Sequence, residues 1–502
     1  MTDESNAPGE APPPAAPRQQ HRRSRFRSSA FDNLWYTVAA AQDLTRRAQW
    51  WDALVVIAYL LRNSLLATAF AWLLGFLISL GNFFSGDRPA DQPLAMFTSA
   101  SMFWTSFVLG TCVALAQAAT FVPLQCVAHA SRPHHSQLWW FRRLFQRLWW
   151  QFLVMLAAVA GLCYAIGSAQ VGLQSLKLHF YVGGVVSNAF TVCVVDAARE
   201  MYLHDTVVGR ERGGPQKSSR SWRRALRSQV RGLAMLPLVY VAAGYVHVAS
   251  QIHLKTAQDT WIFLVASVTI KLITQEGAKH YLLRLKKTRP VLVNSFVAVP
   301  TVLIDTQIRL LMYRMPSGST SSTSSTRASM TSSILLAFVE LAMRLSRLLL
   351  LKLTIHRRKR RQLSMVAPAA VEKDADMLDW TTRLVQYHAA ELQADMYAEY
   401  IAIGASMAVY FIFHDHPQYD ILGGVDSAAS AVLSMDAITA CLLQILLEII
   451  VDFVCCLFEL SGNIPFRVSR DSTALLTTLF TSCALMAVGL SSAMYLHNTE
   501  GS

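Results

Sequence analysis

One predicted helix near the carboxyl end carries polar side chains at a spacing that could support ion chemistry inside a membrane. Within the apolar segment 437–460, six polar residues recur every three or four positions. They are Cys441, Gln444, Glu448, Asp452, Cys455 and Glu459. Because an α-helix turns once every 3.6 residues, these side chains share one face, while apolar residues cover the rest of the helix.

Acids on such a face are costly in hydrocarbon. A carboxylate at mid-bilayer costs on the order of 2.5–3.5 kcal/mol, so Glu448 and Asp452 require a cationic partner, a water-filled cavity or a bound proton. The functional hypothesis is a secondary transporter or channel in which Glu448, Asp452, Gln444 and Glu459 bind or relay a cation or proton. The structural alternative is a non-transporting scaffold in which the acids pair with bases of neighbouring helices. The candidate partners are Lys271, Arg309, Arg344 and Arg347.

The carboxyl-terminal third is acidic in an otherwise basic protein. Between Arg383 and Arg467 there are ten Asp and Glu residues and neither Lys nor Arg. Four residues here could offer metal ligands from one helix face, at steps of three, four and four: His388, Glu391, Asp395 and Glu399. We expect a solvated face instead, because nothing in the sequence brings further ligands to it. No metal site and no cofactor are therefore predicted.

Established catalytic signatures are missing from the sequence. It contains no phosphate-binding Gly-x4-Gly-Lys-Ser/Thr, no His-Glu-x-x-His, no Gly-x-Ser-x-Gly and no Gly-x-Gly-x-x-Gly. No catalytic residue is predicted, and a membrane-embedded enzyme that uses unfamiliar residues is kept only as a further alternative.

Composition and charge spacing predict the fold class. Of 502 residues, 53% are apolar and only 15% are charged, and segment 92–128 contains no Asp, Glu, Lys or Arg. Uncharged apolar blocks longer than about 18 residues match the thickness of a bilayer, where only helices and closed barrels satisfy the backbone. The sequence therefore predicts an all-α, polytopic membrane bundle of nine to eleven spans.

The predicted spans differ in how clearly the sequence marks them. Six are clear: 64–84, 98–122, 148–168, 232–252, 437–460 and 472–497. Three are shorter: 178–195, 260–275 and 396–413. Segments 290–313 and 334–353 contain charged residues. The basic loops before and after this pair are both expected in the cytosol, so either both segments cross the membrane or neither does. The first case gives eleven spans and the second gives nine.

Basic residues predict the orientation. Loops rich in Lys and Arg alternate with loops that carry at most one, which the positive-inside rule associates with a cytosolic amino terminus and, for an odd number of spans, an extracytosolic carboxyl terminus. The net charge of +13 is concentrated in these short loops. It therefore predicts contact with anionic lipid at basic cytosolic loops rather than with nucleic acid. The oligomeric state and the particular membrane are left open.

Five regions are expected along the chain. Residues 1–30 form a disordered basic arm, and 31–63 an amphipathic, interfacial helix that leads into the first span. Residues 64–275 form an amino-terminal bundle of about six spans. Residues 276–395 are basic and Ser/Thr-rich, hold the two uncertain spans and end in an acidic cytosolic helix. Residues 396–497 form a carboxyl-terminal bundle of three spans.

Overall fold

The structure is a computed structural model, and it confirms the all-helical class. It describes residues 46–121, 137–169, 171–206, 236–252, 257–284, 290–313, 322–363, 370–421, 430–461, 464 and 473–497. The predicted disordered arm 1–30 and the first half of the predicted interfacial helix lie outside the described residues. Within the described residues there is no β-strand, and an isolated antiparallel bridge joins Tyr419 and Leu496.

Twelve helices make up the described part of the chain. The first six are α1 Arg46–Ser79, α2 Leu94–Phe121, α3 Gln137–Gly167, α4 Val171–Ser175, α5 Leu178–Asp205 and α6 Leu236–Gln251. The second six are α7 Ala257–Arg284, α8 Pro290–Tyr313, α9 Ser322–Leu363, α10 Ala370–Phe413, α11 Ser430–Ser461 and α12 Thr473–Tyr495.

Eight of these helices are long and apolar enough to cross a membrane. They are α1, α2, α3, α5, α8, α10, α11 and α12. Helix α6 has 16 residues, while α7 and α9 carry more charge. The uncertain segment 290–313 coincides with α8, and 334–353 lies within α9. The finer count of nine or eleven spans stays a prediction.

Two helices extend across boundaries predicted from the sequence. Helix α1 is continuous through Ser64, and its apolar part covers Trp50–Ser79, so it begins earlier than the predicted span 64–84. Helix α10 is continuous across position 396, where a cytosolic helix was expected to give way to a span. In both cases the polar residues near the predicted boundary did not interrupt a segment of good helix formers.

Helices α8, α10 and α12 form the centre of the protein. About 94% of the apolar segment of α8 is buried, 83% of that of α10 and 72% of that of α12. Helix α10 packs against α8 and carries a row of fully buried alanines on one face: Ala394, Ala398, Ala402 and Ala405. Small residues on one helix face let two backbones approach closely, which strengthens dispersion contacts where lipid removes the hydrophobic driving force.

Helices α2, α3 and α5 pack against each other in a second, smaller core. Its buried side chains include Trp140 and Met155 of α3, and Phe190 and Met201 of α5. A salt bridge of 2.8 Å from Arg143 to Asp205 joins the beginning of α3 to the end of α5. This subdomain contains none of the predicted site residues, so the charged site lies elsewhere in the bundle.

Four segments of the chain meet at one end of the helices. His416 hydrogen-bonds to the Ser79 carbonyl at 3.0 Å, and Lys177 donates to the Leu496 carbonyl at 2.5 Å. The backbone amide of Asp420 donates to the Tyr495 carbonyl at 2.9 Å. The ends of α1 and α12, the start of α5 and the segment after α10 therefore lie at the same end of the helices.

Candidate ion site

Helix α11 turns its acids inward and its apolar residues outward. Gln444, Glu448, Asp452 and Glu459 are all at most 3% exposed. Leu442, on the opposite face, is 63% exposed, and further exposed apolar side chains on that face are Leu446 and Ile450. An amphipathic helix in water adopts the reverse arrangement, so this orientation fits an apolar surrounding.

Helix α9 has the same inverted pattern. Glu340 and Arg344 are buried, whereas Phe338 is 65% exposed and Leu349 and Leu350 are each 61% exposed. The charged residues follow a spacing of four along the helix, which places them on the face that packs against α11. Two helices thus contribute facing polar stripes to one interior.

Arg344 lies at the centre of that interior. Its Nη2 donates to a carboxylate oxygen of Glu399 on α10, and its Nη1 donates to a carboxylate oxygen of Asp452 on α11. Its Nη2 also lies 3.7 Å from Glu448 Oε1. One guanidinium therefore joins α9, α10 and α11, using the planar array of five N–H donors that distinguishes arginine from lysine.

Helix α8 contributes a second guanidinium. Arg309 Nη2 lies 3.8 Å from Glu448 Oε2, and Arg309 Nη1 donates to Gln444 Oε1 at 3.3 Å. The Tyr313 hydroxyl donates to the same Gln444 oxygen at 3.4 Å. The Arg309 Nε has no hydrogen-bond partner in the described residues. Glu448 is consequently held by two ion pairs longer than ordinary charge-assisted hydrogen bonds.

Helix α7 contributes a lysine to the same cluster. Lys271 Nζ donates to Asp305 Oδ2 of α8 at 2.8 Å and lies 3.8 Å from Glu399 Oε1. Lys271, Asp305 and Glu399 are all less than 5% exposed. Glu399 is therefore shared between a lysine and an arginine, and it connects α7 with α9.

A second group of charges continues the network toward the predicted cytosolic side. Arg347 donates to Asp395 Oδ2 at 2.7 Å and lies 3.7 Å from Glu391. Gln275 donates to the other Asp395 oxygen at 2.7 Å and accepts a hydrogen bond from Arg347. His388 Nε2 lies 3.9 Å from Glu459 Oε1. The predicted relay residue Glu459 is thus linked to α10 through His388.

The buried network contains more acids than bases. Eight buried carboxyl groups belong to it: Asp305, Glu340, Glu391, Asp395, Glu399, Glu448, Asp452 and Glu459. Among the described residues, four basic side chains face them: Lys271, Arg309, Arg344 and Arg347. The formal excess is four negative charges, or three if His388 is protonated. Uncompensated charge in a low-dielectric interior is prohibitive, so bound protons or cations must supply the balance.

Three carboxyl groups from three helices converge within this network. Glu340 of α9, Glu399 of α10 and Glu448 of α11 each offer an oxygen, and these oxygens lie within 4.8 Å of one another. Glu340 Oε2 and Glu448 Oε1 have no hydrogen-bond partner in the described residues. The three groups, here called the carboxyl triad, therefore have free acceptor capacity at a buried point.

The structure brings the predicted site residues into contact, with additions that the sequence analysis did not make. Glu448 and Asp452 contact Arg344, and Glu448 and Gln444 contact Arg309. Lys271 and Arg347 contact other acids instead. The four residues that were expected on a solvated face are all buried, so that expectation is wrong: His388, Glu391, Asp395 and Glu399. These acids recur every four residues and continue into the apolar part of α10, and this spacing could have predicted that they face the protein interior.

Comparison of the chain with protein-family models, curated proteins and solved structures finds no match.

Proposed function

We propose that this multi-pass membrane protein is a transporter or channel that moves protons or small cations through the polar interior of α7–α11. The observation that carries the proposal is the excess of buried carboxyl groups over basic side chains. A purely structural network would balance its charges, because each uncompensated ion costs several kcal/mol on burial. A surplus of acids instead creates a place where positive charge binds, which is what an ion pathway requires.

The proposed topology has eleven spans, with the amino terminus in the cytosol and the carboxyl terminus outside. Helix α8 is almost completely surrounded by protein, and α9 exposes Phe338, Leu349 and Leu350 on the face away from the charges. Both features fit two helices that cross together, one central and one facing lipid. The grouping of Ser79, Lys177 and Leu496 at one end of the bundle supports the same order of crossings.

Neutralising Glu448 and Asp452 should abolish ion movement. The double variant Glu448→Gln and Asp452→Asn keeps the shapes of the side chains but removes two of the charges that attract a cation. In proteoliposomes with an imposed membrane potential and gradients of H⁺, Na⁺, K⁺, Mg²⁺ or Ca²⁺, we expect the wild-type flux to fall at least tenfold. Ion-sensitive dyes inside the vesicles measure it.

A matched control changes the same charge at the surface. Glu276 is 52% and Asp379 is 67% exposed, so Glu276→Gln with Asp379→Asn should leave the flux unchanged. Only variant protein that elutes as a single folded species is reconstituted. Wild-type flux that persists in the Glu448/Asp452 variant would eliminate this pathway, and absence of flux of all five ions from the wild type would count against the proposed function.

A non-transporting scaffold is a second candidate, and the bonds of Arg344 favour it. This residue ties three helices together, as an architectural ion pair would. If the network has only a structural role, Asp452→Asn should lower the free energy of unfolding by about 1.5–3 kcal/mol, which is the contribution of a hydrogen bond to a charged group. Thermal unfolding in nanodiscs measures this loss of stability. A scaffold is indicated if the variant loses this stability and the wild-type protein moves no ions.

A further inference from the structure

The carboxyl triad has a local charge balance that specifies how much positive charge is missing. Its immediate charged neighbours in the part of the chain that the structure describes come from four helices. They are Lys271 of α7, Asp305 and Arg309 of α8, Arg344 of α9 and Asp452 of α11. Together with the triad this makes five carboxyl groups and three bases. The centre therefore lacks two positive charges.

Direct contacts show which acids are left without full compensation. Asp305 accepts from Lys271, and Glu399 and Asp452 accept from Arg344. Glu448 lies 3.7 and 3.8 Å from its two guanidinium partners and in hydrogen-bond contact with the carboxyl group of Glu399, while its Oε1 has no hydrogen-bond partner. Among the described residues no basic group lies within 4.0 Å of Glu340, whose Oε2 also lacks a partner. The deficit thus falls on Glu340 and Glu448.

The size and surroundings of the triad discriminate between a proton and a metal ion. Calcium requires about six to eight oxygen ligands, and magnesium requires near-octahedral coordination, usually with several waters. The triad offers three carboxyl groups, and the guanidinium of Arg344 lies 3.7 Å from one of them. That fixed positive charge repels a divalent cation. A proton needs no added volume and turns an unpaired carboxylate into a hydrogen-bond donor.

We propose that Glu340 holds a proton in the resting protein, so that the ion bound at the carboxyl triad is H⁺ rather than a metal ion. The proposal rests on the proposed function, whose ion it names. A proton on Glu340 removes one negative charge from the triad, whose other two oxygens lie within 4.8 Å of the Glu340 oxygen. Glu448 is the second carboxyl group without full charge compensation, and it also binds and releases H⁺.

Infrared spectroscopy tests the proposal directly, because a protonated carboxyl group has a C=O stretching band that a carboxylate lacks. Wild-type protein in nanodiscs should show this band at neutral pH, at a frequency typical of a buried group. Glu340→Gln should reduce its area by one carboxyl group. Glu276→Gln, at an exposed position of α7, should leave the band unchanged.

Three results would overturn the inference. An unchanged band in folded Glu340→Gln would mean that Glu340 is ionised. A second contrary result is stoichiometric binding of Mg²⁺, Ca²⁺ or Zn²⁺ by the wild type, with loss of the infrared band when the metal binds. If Glu340→Gln no longer binds that metal, the triad is a metal site. If Glu340→Gln does not fold, Glu340→Asp is measured instead, and a band that neither shifts nor shrinks in it contradicts the proposal.

The two proposals fail in different ways. If the infrared band behaves as expected but reconstituted protein moves no ion, the triad binds a proton without transporting it, and only the proposed function is lost. The opposite case is also distinguishable. If the wild-type protein moves Na⁺ or K⁺ without a change of internal pH, and Glu340→Gln has the same infrared band as the wild type, transport stands and the assignment of the ion is wrong. With H⁺ as the ion, Glu340→Gln should lower proton flux at least tenfold.

Discussion

Replacing Arg344 by methionine is expected to lower the free energy of unfolding by about 3–5 kcal/mol, because it leaves buried carboxylates without their partner. Glu399 and Asp452 would both lose a charge-assisted hydrogen bond, and Glu448 would lose one of its two ion pairs. Methionine fills a similar volume, so the loss reports charge rather than a cavity. Thermal or denaturant unfolding in nanodiscs measures the difference from wild type.

The surface offers a matched control for this substitution. Arg383 is 53% exposed and pairs with Asp379 one helical turn away, so Arg383→Met should change stability by at most about 1 kcal/mol. Adding Glu399→Gln and Asp452→Asn to Arg344→Met removes the stranded charges and should recover more than half of the loss. A loss at Arg344 no larger than at Arg383 would show that solvent reaches the network.

The inward orientation of Glu448 and Asp452 could be predicted from the sequence, because it needs only the helical period and the cost of an acid in hydrocarbon. The same reasoning selected Arg344 as a candidate partner, since an arginine within an apolar segment must also face inward. Neither step requires knowledge of which helices are neighbours. Information local to one helix therefore suffices for the direction in which a charge points.

The pairing of charges could not be predicted in this way. Lys271 lies against Asp305 and Glu399 rather than against the acids of α11, since helix neighbours are set by packing that is distant in sequence. Glu340 and Glu399 were not assigned to the site for the same reason. Glu399 belongs to a stretch that begins with solvated acids, and average hydropathy hides the turn at which α10 enters the interior.

The packing of α10 against α1 depends on Gly404 of α10. A Cβ atom added there would lie 2.9 Å from the Thr68 Cβ and 2.5 Å from its Oγ1 on α1. The glycine carbonyl also accepts a hydrogen bond of 3.2 Å from the Trp72 indole on α1. Because the Thr68 Cβ is attached directly to the α1 backbone and no rotamer moves it, an alanine at this position must push the two helices apart.

Gly404→Ala should therefore destabilise the protein by about 1–3 kcal/mol, although alanine is the better helix former. Gly277 of α7 provides a control of opposite sign, because a Cβ there meets no atom within 4 Å. Gly277→Ala should raise stability by up to about 1 kcal/mol. Unfolding midpoints in nanodiscs measure both changes. If both alanines stabilise the protein, then α1 and α10 are not packed as closely as described, and the burial of the charges of α10 would lose its support.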